Sequence, residues 1–330
     1  MRLIHPAPTN RSERFVATHL RVPDVLIAIL TFQRTAALRH VLTTTRDRLK
    51  SQCRVSILVV DNNPTPQEED AVKTFAETTE LAVHYIHEPE PGLSNARNAA
   101  MSFAETRFLA FLDDDMEISA EWLDGLIQMS CQFGYGVIFG PIIAKFSDVA
   151  DPRNPYLSPF YSRTLEDQET PELKKSFGTG GCLIDLTQGE YSNAPFNPNL
   201  NESGGEDDAF FSALARTGVK FGWAKRALCF ENVPDERTTS DYIIRRNLGY
   251  GQAPTRTAAK GGFSGGPQIM RHMVIGSLQF GVYGAFYLVA RVLKRPSAVR
   301  YLALTFRGLG KVFWGDRYQQ KLYGASQLTE

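Results

Sequence analysis

Short apolar segments alternate with helical patterns along the first two-thirds of the chain. The apolar segments predict strands at residues 25–30, 55–60, 82–87 and 107–112. Apolar residues at helical spacing predict helices over 35–50, 67–80 and 93–106. Strands and helices in alternation indicate an α/β fold with a mostly parallel, doubly wound sheet.

Polar side chains follow three of these strands at the point where each strand ends. Thr31 and Arg34 follow the first strand, Asp61 follows the second, and Asp113 to Asp115 follow the fourth. Because ligands of such sheets bind at the carboxyl ends of the strands, we expect these side chains to share one site.

Three consecutive aspartates, Asp113 to Asp115, end the apolar run of the fourth strand. Three adjacent carboxylates repel one another unless a cation neutralises them. Mg²⁺ and Mn²⁺ bind carboxylate oxygens together with substrate phosphates, so the pattern predicts a divalent-cation and nucleotide-diphosphate site. The alternative is a solvated acidic turn. The buried approach strand, and Trp122 and Leu123 beyond it, argue against that alternative.

Six short motifs occur in an order and spacing that resemble one known family. They are residues 27–34, 59–63, 91–98, 113–115, 178–181 and 204–208. Together they resemble the family 2 glycosyltransferases, which have the GT-A fold, a Rossmann-like nucleotide-diphospho-sugar transferase fold. The resemblance covers residues 25–239. Residues 230–237 resemble the subset that builds bacterial exopolysaccharides of the succinoglycan type.

The resemblance implies a set of side chains that bind the nucleotide-sugar donor. These are Thr31, Arg34, Asp61, Asn95, Arg97, Asn98, Asp113 and Asp114. The first three would line the base and ribose, and a carboxylate suits a pyrimidine N–H. Asn95, Arg97 and Asn98 open a helix, whose N-terminal N–H groups attract an anionic donor. Two alternatives stay open: Asp61 as the cap of the following turn, and Arg97 as a surface ion pair.

The resemblance also implies the residues of the metal site. Asp115 is the expected direct ligand of Mg²⁺ or Mn²⁺, and Asp113 would contact the ribose, or the metal through water. Many relatives have a histidine after the last core strand, where this chain has Glu231. Glu231 is either a further metal ligand or the partner of Arg237 or Arg245.

The acids that follow Gly204 and Gly205 are the candidate catalytic group. By resemblance Asp207 is the general base that takes the proton of the acceptor hydroxyl, and Glu206 positions the acceptor. The family often has a further acid where this chain has Ala209, so Asp208 is an alternative base. Acids at a helix start also serve simply as caps. Gly178–Gly181 either lets substrate approach the backbone or forms a plain tight turn.

The C-terminal part differs in composition from the rest. Lys+Arg and Asp+Glu are both 36, yet no acid occurs between residues 242 and 315. Residues 273–290 carry no charge and are flanked by Arg271 and Arg291. This pattern favours a helix lying in a membrane interface, or a re-entrant hairpin, at an anionic membrane surface. The alternative is a helix buried against the catalytic domain. A nucleic-acid partner is not expected, because a long uncharged segment does not suit one.

These observations predict three regions: an N-terminal extension (1–22), a GT-A catalytic domain (23–240) and a basic C-terminal helical region (241–330). The predicted function is inverting, metal-dependent transfer of a sugar, most simply from a UDP-sugar, to a lipid-linked oligosaccharide. The predicted location is the cytoplasmic face of the bacterial inner membrane, with peripheral or monotopic attachment. A nucleotidyltransferase and an inactive membrane-docked scaffold subunit are the alternative functions.

Overall fold

The computed structural model describes residues 24–165, 172–192, 194–201, 204–259 and 262–318. The predicted N-terminal extension, 1–22, lies outside the described residues. Within them, the strands are β1 (Asp24–Thr31), β2 (Arg54–Asp61), β3 (Ala82–His87), β4 (Phe108–Asp113), β5 (Met116–Ile118), β6 (Val137–Phe139), β7 (Ile142–Phe146), β8 (Glu172–Leu173), β9 (Cys182–Asp185), β10 (Phe221–Trp223) and β11 (Cys229–Val233). The helices are α1 (Thr35–Arg48), α2 (Glu69–Ala76), α3 (Leu93–Phe103), α4 (Trp122–Phe133), α5 (Asn154–Tyr161), α6 (Glu206–Arg216), α7 (Ser240–Ala259), α8 (Gly266–Val292) and α9 (Ala298–Val312).

The large sheet of the described residues has eight strands in the order β3-β2-β1-β4-β9-β6-β10-β8. The half formed by β1 to β4 is parallel, as predicted. β9 is antiparallel to both β4 and β6, which makes the other half mixed. The reason is where β9 begins: Cys182 pairs with Phe111 near the carboxyl end of β4, so the strand runs back from that edge. The loop before β9 is therefore held at the edge where ligands of such sheets bind.

Both faces of the parallel half are buried, which explains its near-continuous apolar sequence. Successive residues of a strand point to opposite faces. Val25, Ile27 and Ile29 of β1 pack in one core with α1, α2 and α4, whereas Leu26 and Ala28 pack in the other with α3 and α6. The doubly wound arrangement follows from this two-sided burial.

A second sheet of three strands, in the order β5-β11-β7, lies beside the aspartates. Glu231 of β11 is in register with Met116 of β5, directly after Asp115. The backbone carbonyl of Asp115 also accepts a hydrogen bond from the N–H of Asn232 at 2.8 Å. This pairing holds the end of β11 next to the aspartates.

Within the described residues, the predicted C-terminal helical region (241–330) contains the three helices α7, α8 and α9. α9 packs against both α7 and α8, and α8 meets α9 at a glycine crossing where a Cβ on Gly276 would come within 2.6 Å of the carbonyl oxygen of Gly308. Leu157 of α5, Ile243 of α7 and Val299 of α9 share a small apolar cluster. That cluster attaches α7 and α9 to the part of the chain that carries the sheets.

Candidate functional site

The three consecutive aspartates make different sets of contacts, because the chain turns directly after β4, although Asp114 and Asp115 share Arg34. Asp113 ends β4 and lies against the loop before β9: a Cβ on Gly180 would meet its Oδ2 at 2.4 Å. Burial raises the pKa of Asp113 to about 7, the charge of Asp115 adds to this, and Arg97 opposes it. The ionised form of this carboxyl therefore requires positive charge that the protein supplies only in part.

Asp114 faces the end of β1. Its Oδ2 accepts from the hydroxyl of Thr31 at 3.2 Å, and its Oδ1 accepts from a guanidinium N–H of Arg34 at 3.0 Å. Burial raises the pKa of Asp114 to about 6, although Arg34 lowers it. Thr31, Arg34 and Asp114 were all predicted to bind the nucleotide-sugar donor, and the structure brings their side chains together.

Asp115 and Glu231 converge on the same guanidinium group. Arg237 places Nη1 at 3.2 Å from Oδ2 of Asp115 and at 3.3 Å from Oε1 of Glu231. Arg34 contacts the same Asp115 oxygen at 3.2 Å. Of the alternatives for Glu231, the structure has the pair with Arg237. Burial raises the pKa of Glu231 to about 7, and the neighbouring Asp115 raises it further while Arg237 opposes the shift.

The candidate base lies across the loop Gly178–Gly181 from Asp113. The N–H of Thr179 donates to Oδ2 of Asp207 at 3.1 Å, while Oδ1 of Asp207 is 3.0 Å from Arg97. Asp207 is half-buried, whereas Asp208 is exposed to solvent. The contacts therefore favour Asp207 over Asp208 as the residue that faces the aspartates.

Arg97 is buried and not a surface arginine, which excludes the alternative of a surface ion pair. Its Nη1 donates to Oε1 of Glu206 at 2.6 Å. Burial lowers the pKa of Arg97, but Asp207 and Glu206 outweigh that effect and hold it above its usual value. Glu206 is 5 % exposed and pairs with Arg97. Its predicted role of positioning the acceptor stays a prediction.

One side chain that holds a loop of the candidate site was not among the residues predicted from the sequence. Arg163 donates from Nη1 to the carbonyl of Gly178 and from Nη2 to that of Gly180, both at 3.0 Å, and from Nε to that of Gly140 at 2.9 Å. It thus holds the loop that separates Asp113 from Asp207. No sequence signal identifies it, because Arg163 is distant in the chain from every motif and its bonds go to backbone carbonyls.

The contacts of Asp61 match its alternative role as a turn cap. Its Oδ1 accepts from the backbone N–H and side-chain amide of Asn63, and its Oδ2 from the N–H groups of Gln67 and Glu68 and the hydroxyl of Tyr85, at 2.7 to 3.1 Å. α2 was predicted to begin at residue 67 but begins at Glu69, because the N–H groups of Gln67 and Glu68 donate to Asp61. A base contact by Asp61 would require some of these bonds to be exchanged, and it stays a prediction.

Asn95 and Asn98 also contact protein groups. The amide of Asn98 donates to the carbonyl of Phe196 at 2.8 Å and accepts from its N–H at 2.9 Å. Asn95 donates to the carbonyl of Glu90 at 3.1 Å. At the start of α3 the N–H of Ser94 donates to Oδ1 of Asn201 at 2.7 Å. The helix terminus is therefore partly capped, and donor contacts by Asn95 and Asn98 remain predictions.

A cleft of about 690 Å³ opens beside Asp114 and Asp115. Its walls come from α1, the end of β7 and the end of β11, and its polar lining includes Arg34, His40 and Lys145. The cleft thus combines cationic groups on its walls with the two carboxylates at one end.

The chemistry of the donor set fits a hard divalent cation. Asp113, Asp114 and Glu231 are carboxyls with raised pKa values, and oxygen is the ligand atom that Mg²⁺ and Mn²⁺ prefer. Among the residues that the structure describes, no group of three or more His, Cys, Asp or Glu side chains is arranged to enclose a metal. A cation here would therefore take part of its ligands from a substrate diphosphate or from water.

Comparison with known proteins identifies the chain. Residues 26–184 match the family described as glycosyl transferase family 2. This match identifies residues 26–184 as a family 2 glycosyltransferase domain. The chain is 26 % identical over 277 residues to the succinoglycan biosynthesis protein ExoM of Rhizobium meliloti (strain 1021), covering 83 % of this chain and 86 % of that protein.

The structure of this glycosyltransferase is similar to that of the mannosyltransferase PcManGT from Pyrobaculum calidifontis, solved with GDP-Man and Mn²⁺. The TM-score is 0.57 at 16 % identity, covering 89 % of this chain and 88 % of that one. The likeness concerns the fold alone, and it confirms the predicted GT-A fold. The family match likewise confirms the resemblance stated from the motifs, and it does not support the alternative of a nucleotidyltransferase.

α8 presents an apolar surface to solvent. One helix of the described residues, Gly266–Val292, is long and apolar enough to cross a membrane, with a mean hydropathy of 1.5. Only 11 % of its most apolar window is buried, which excludes the predicted alternative of a core helix. Its exposed large side chains include Met270, Val274, Ile275, Leu278, Phe280, Val282, Phe286, Leu288, Val289 and Val292.

The basic residues of α9 are partly committed to contacts between the helices. Arg307 donates to Oδ1 of Asn247 on α7 at 3.0 Å, and Lys311 donates to Oε1 of Gln279 on α8 at 2.7 Å. Arg307 and Lys311 are therefore less available to a membrane surface. Lys294, Arg295 and Arg300, near the start of α9, are exposed.

Proposed function

We propose that this glycosyltransferase moves a sugar from a nucleotide-diphosphate donor, UDP-linked in the simplest case, to a lipid-linked saccharide during exopolysaccharide synthesis. One observation carries the proposal: Asp113 to Asp115 and Asp207 lie on the two sides of the loop Gly178–Gly181. Carboxylates suited to a cation thus lie beside a separate carboxylate, Asp207, whose two oxygens contact Arg97 and the N–H of Thr179.

The donor would bind at the carboxyl ends of β1 and β4. Arg34 contacts both Asp114 and Asp115, so it would be the cationic side chain beside a diphosphate held there through a cation. A guanidinium group binds phosphate oxygens in a bidentate manner. Thr31 and Asp114 would complete the contacts to the nucleoside.

Asp115 would hold Mg²⁺ or Mn²⁺, with Asp113 and Glu231 as the neighbouring carboxylates. When bound, the cation would neutralise the charge that grows on the departing diphosphate. Arg237 now contacts Asp115, so a cation could bind Asp115 only if the Arg237 side chain moved away from it.

Asp207 would be the general base of an inverting displacement. The acceptor hydroxyl oxygen forms a bond to the anomeric carbon, the bond from that carbon to the phosphate oxygen breaks, and the nucleoside diphosphate leaves with the electron pair. The hydroxyl proton passes to Asp207, whose orientation is held by Thr179 and Arg97. The predicted role of Asp208 as base is the less favoured one, since this side chain faces solvent.

The proposed lipid-linked acceptor and the proposed membrane location are supported by helix α8 and by the similar protein of Rhizobium meliloti. The succinoglycan protein of Rhizobium meliloti supports a role in exopolysaccharide synthesis. The exposed apolar surface of α8 supports attachment to a membrane, where a lipid-linked acceptor would be available. Exposed cations flank that helix, which favours the cytoplasmic face and its anionic lipids.

Calorimetric titration of UDP into the full chain tests the donor site. We expect binding that requires Mn²⁺ or Mg²⁺, disappears with a chelator, and is lost in Asp115→Ala. The matched control is Asp124→Ala, which changes an acid on the outer side of α4 that bonds to Ser51. If UDP does not bind, GDP and dTDP are tried in turn. Failure of all three would refute a nucleotide-sugar enzyme and leave the scaffold subunit.

A further inference from the structure

Arg237 occupies the position where the two predicted metal ligands meet. It lies in the short 3-10 turn Asp235–Thr238 between β11 and α7. Its Nη1 is 3.2 Å from Oδ2 of Asp115 and 3.3 Å from Oε1 of Glu231. All three side chains are largely buried, at 19 %, 12 % and 14 % exposure.

A guanidinium group and a metal ion cannot both use these oxygens in this way. A small divalent cation binds carboxylate oxygen at about 2.1 Å, so it would take the point toward which Nη1 now directs its hydrogens. A divalent cation at that point would lie beside the positively charged guanidinium group, and two like charges so close together repel each other. Joint occupancy is therefore disfavoured unless Arg237 turns to an anion that arrives with the cation.

We infer that Arg237 takes the place of the cation in the donor-free protein and moves to the donor's diphosphate when the cation binds. This inference rests on the proposed function, because the anion that receives Arg237 is the nucleoside diphosphate. The exchange keeps every charge paired: the cation neutralises Asp115 and Glu231, and Arg237 neutralises phosphate oxygens.

The local structure permits such an exchange. The backbone around Arg237 is fixed, since its N–H donates to the carbonyl of Pro234 at 3.0 Å and its own carbonyl accepts from the hydroxyl of Tyr161 at 2.5 Å. The long side chain can then reorient from a constant anchor. Arg34 is less suited to this role, because it also holds Asp114.

The exchange predicts effects of opposite sign in one variant. Arg237→Gln removes a competitor of the cation, so Mn²⁺ alone should bind about tenfold more tightly than to the wild type. The same variant lacks a phosphate contact, so UDP in saturating Mn²⁺ should bind about tenfold more weakly. General damage to the site would weaken both.

The experiment uses the full chain and two readouts. Free Mn²⁺ is titrated by electron paramagnetic resonance without nucleotide, and UDP is titrated by calorimetry at saturating Mn²⁺. The variants are Arg237→Gln and Arg237→Lys. Because Arg237→Lys retains the positive charge, this variant should bind Mn²⁺ with an affinity closer to that of the wild type. The control is Arg245→Gln, since Arg245 pairs with Asp241 on an exposed face of α7 and should change neither affinity.

The result that overturns the inference is Mn²⁺ binding to Arg237→Gln that is no tighter than to the wild type, including no binding to either. UDP affinity that is unchanged in this variant would refute the diphosphate contact. If the wild type binds no nucleoside diphosphate, the proposed function fails, whereas the Mn²⁺ comparison still decides whether Arg237 and the cation compete.

Discussion

Glu117 is a buried carboxylate whose removal should destabilise the small sheet beside the site. Arg48 and Lys145 lie 2.7 and 2.9 Å from its Oε2, while His40 and Asn232 contact Oε1 at 3.2 and 3.0 Å. These contacts join α1 and β7 to β5. The substitution Glu117→Gln keeps the shape of the side chain and removes its charge.

The pKa of Glu117 gives the expected magnitude. Burial by itself would raise this pKa, but hydrogen bonds from Lys145, Asn232 and His40 outweigh it and lower the value from 4.5 to about 2. A pKa lowered by roughly 2.5 corresponds to about 3 kcal/mol, because one pKa unit is worth about 1.4 kcal/mol. We expect Glu117→Gln to lose up to this amount of unfolding free energy at pH 7.

The sign of the pH dependence follows from the lowered pKa. The stabilisation by ionised Glu117 is present above the unfolded-state value of 4.5 and is lost as the pH falls through about 2. The difference between wild type and Glu117→Gln should therefore shrink to about 1.5 kcal/mol at pH 3.

The assay is urea denaturation of both proteins at pH 7 and pH 3, followed by circular dichroism. Glu80→Gln serves as control, since Glu80 is exposed and its replacement should change the midpoint little at either pH. Ordinary surface substitutions change the free energy of unfolding by less than about 0.5 kcal/mol. Glu117→Gln would behave like one of them if its unfolding free energy at pH 7 differed from that of the wild type by less than this amount. That result, or a difference that grows toward pH 3, would refute the reasoning.

Three further substitutions test the site and the tail. Gly180→Ala places a Cβ 2.4 Å from an oxygen of Asp113, so calorimetry should find nucleoside diphosphate binding reduced by about tenfold or more, whereas Gly281→Ala, with nothing near its Cβ, should bind normally. Asp207→Asn can still accept the loop N–H, so UDP binding should persist while sugar transfer, measured by product release, falls about 10²- to 10⁴-fold; transfer at the wild-type rate would exclude this residue as the base. Leu278→Glu changes an apolar side chain that is 64 % exposed and should weaken co-sedimentation with phosphatidylglycerol vesicles about tenfold or more, with UDP affinity unchanged; sedimentation equal to wild type would argue against membrane contact through α8.

Local sequence patterns were sufficient for the four parallel strands whose ends border the site. β3 was predicted with its observed bounds, and β1, β2 and β4 within one residue at each end. These strands are continuous apolar segments buried on both faces, so their signal does not depend on distant partners. The position of the aspartates at a strand end follows from the same pattern. The bounds of α7, by contrast, were not predicted within the helical region 241–330, since its apolar residues are few and Pro254 lies inside it.

Only the tertiary structure decided which charged groups pair. Arg97 and Glu206 are 109 residues apart, and Arg163 reaches the loop before β9 through backbone carbonyls that have no side-chain signature. For Glu231 the sequence allowed a metal or two arginines, and the approach of β11 to the aspartates selected Arg237. The sequence by itself determined the parallel half of the sheet, the motif residues and the apolar tail, because periodicity and strand ends are local. Ion pairs and caps depend on which distant segments packing brings into contact, and spacing along the chain does not encode that.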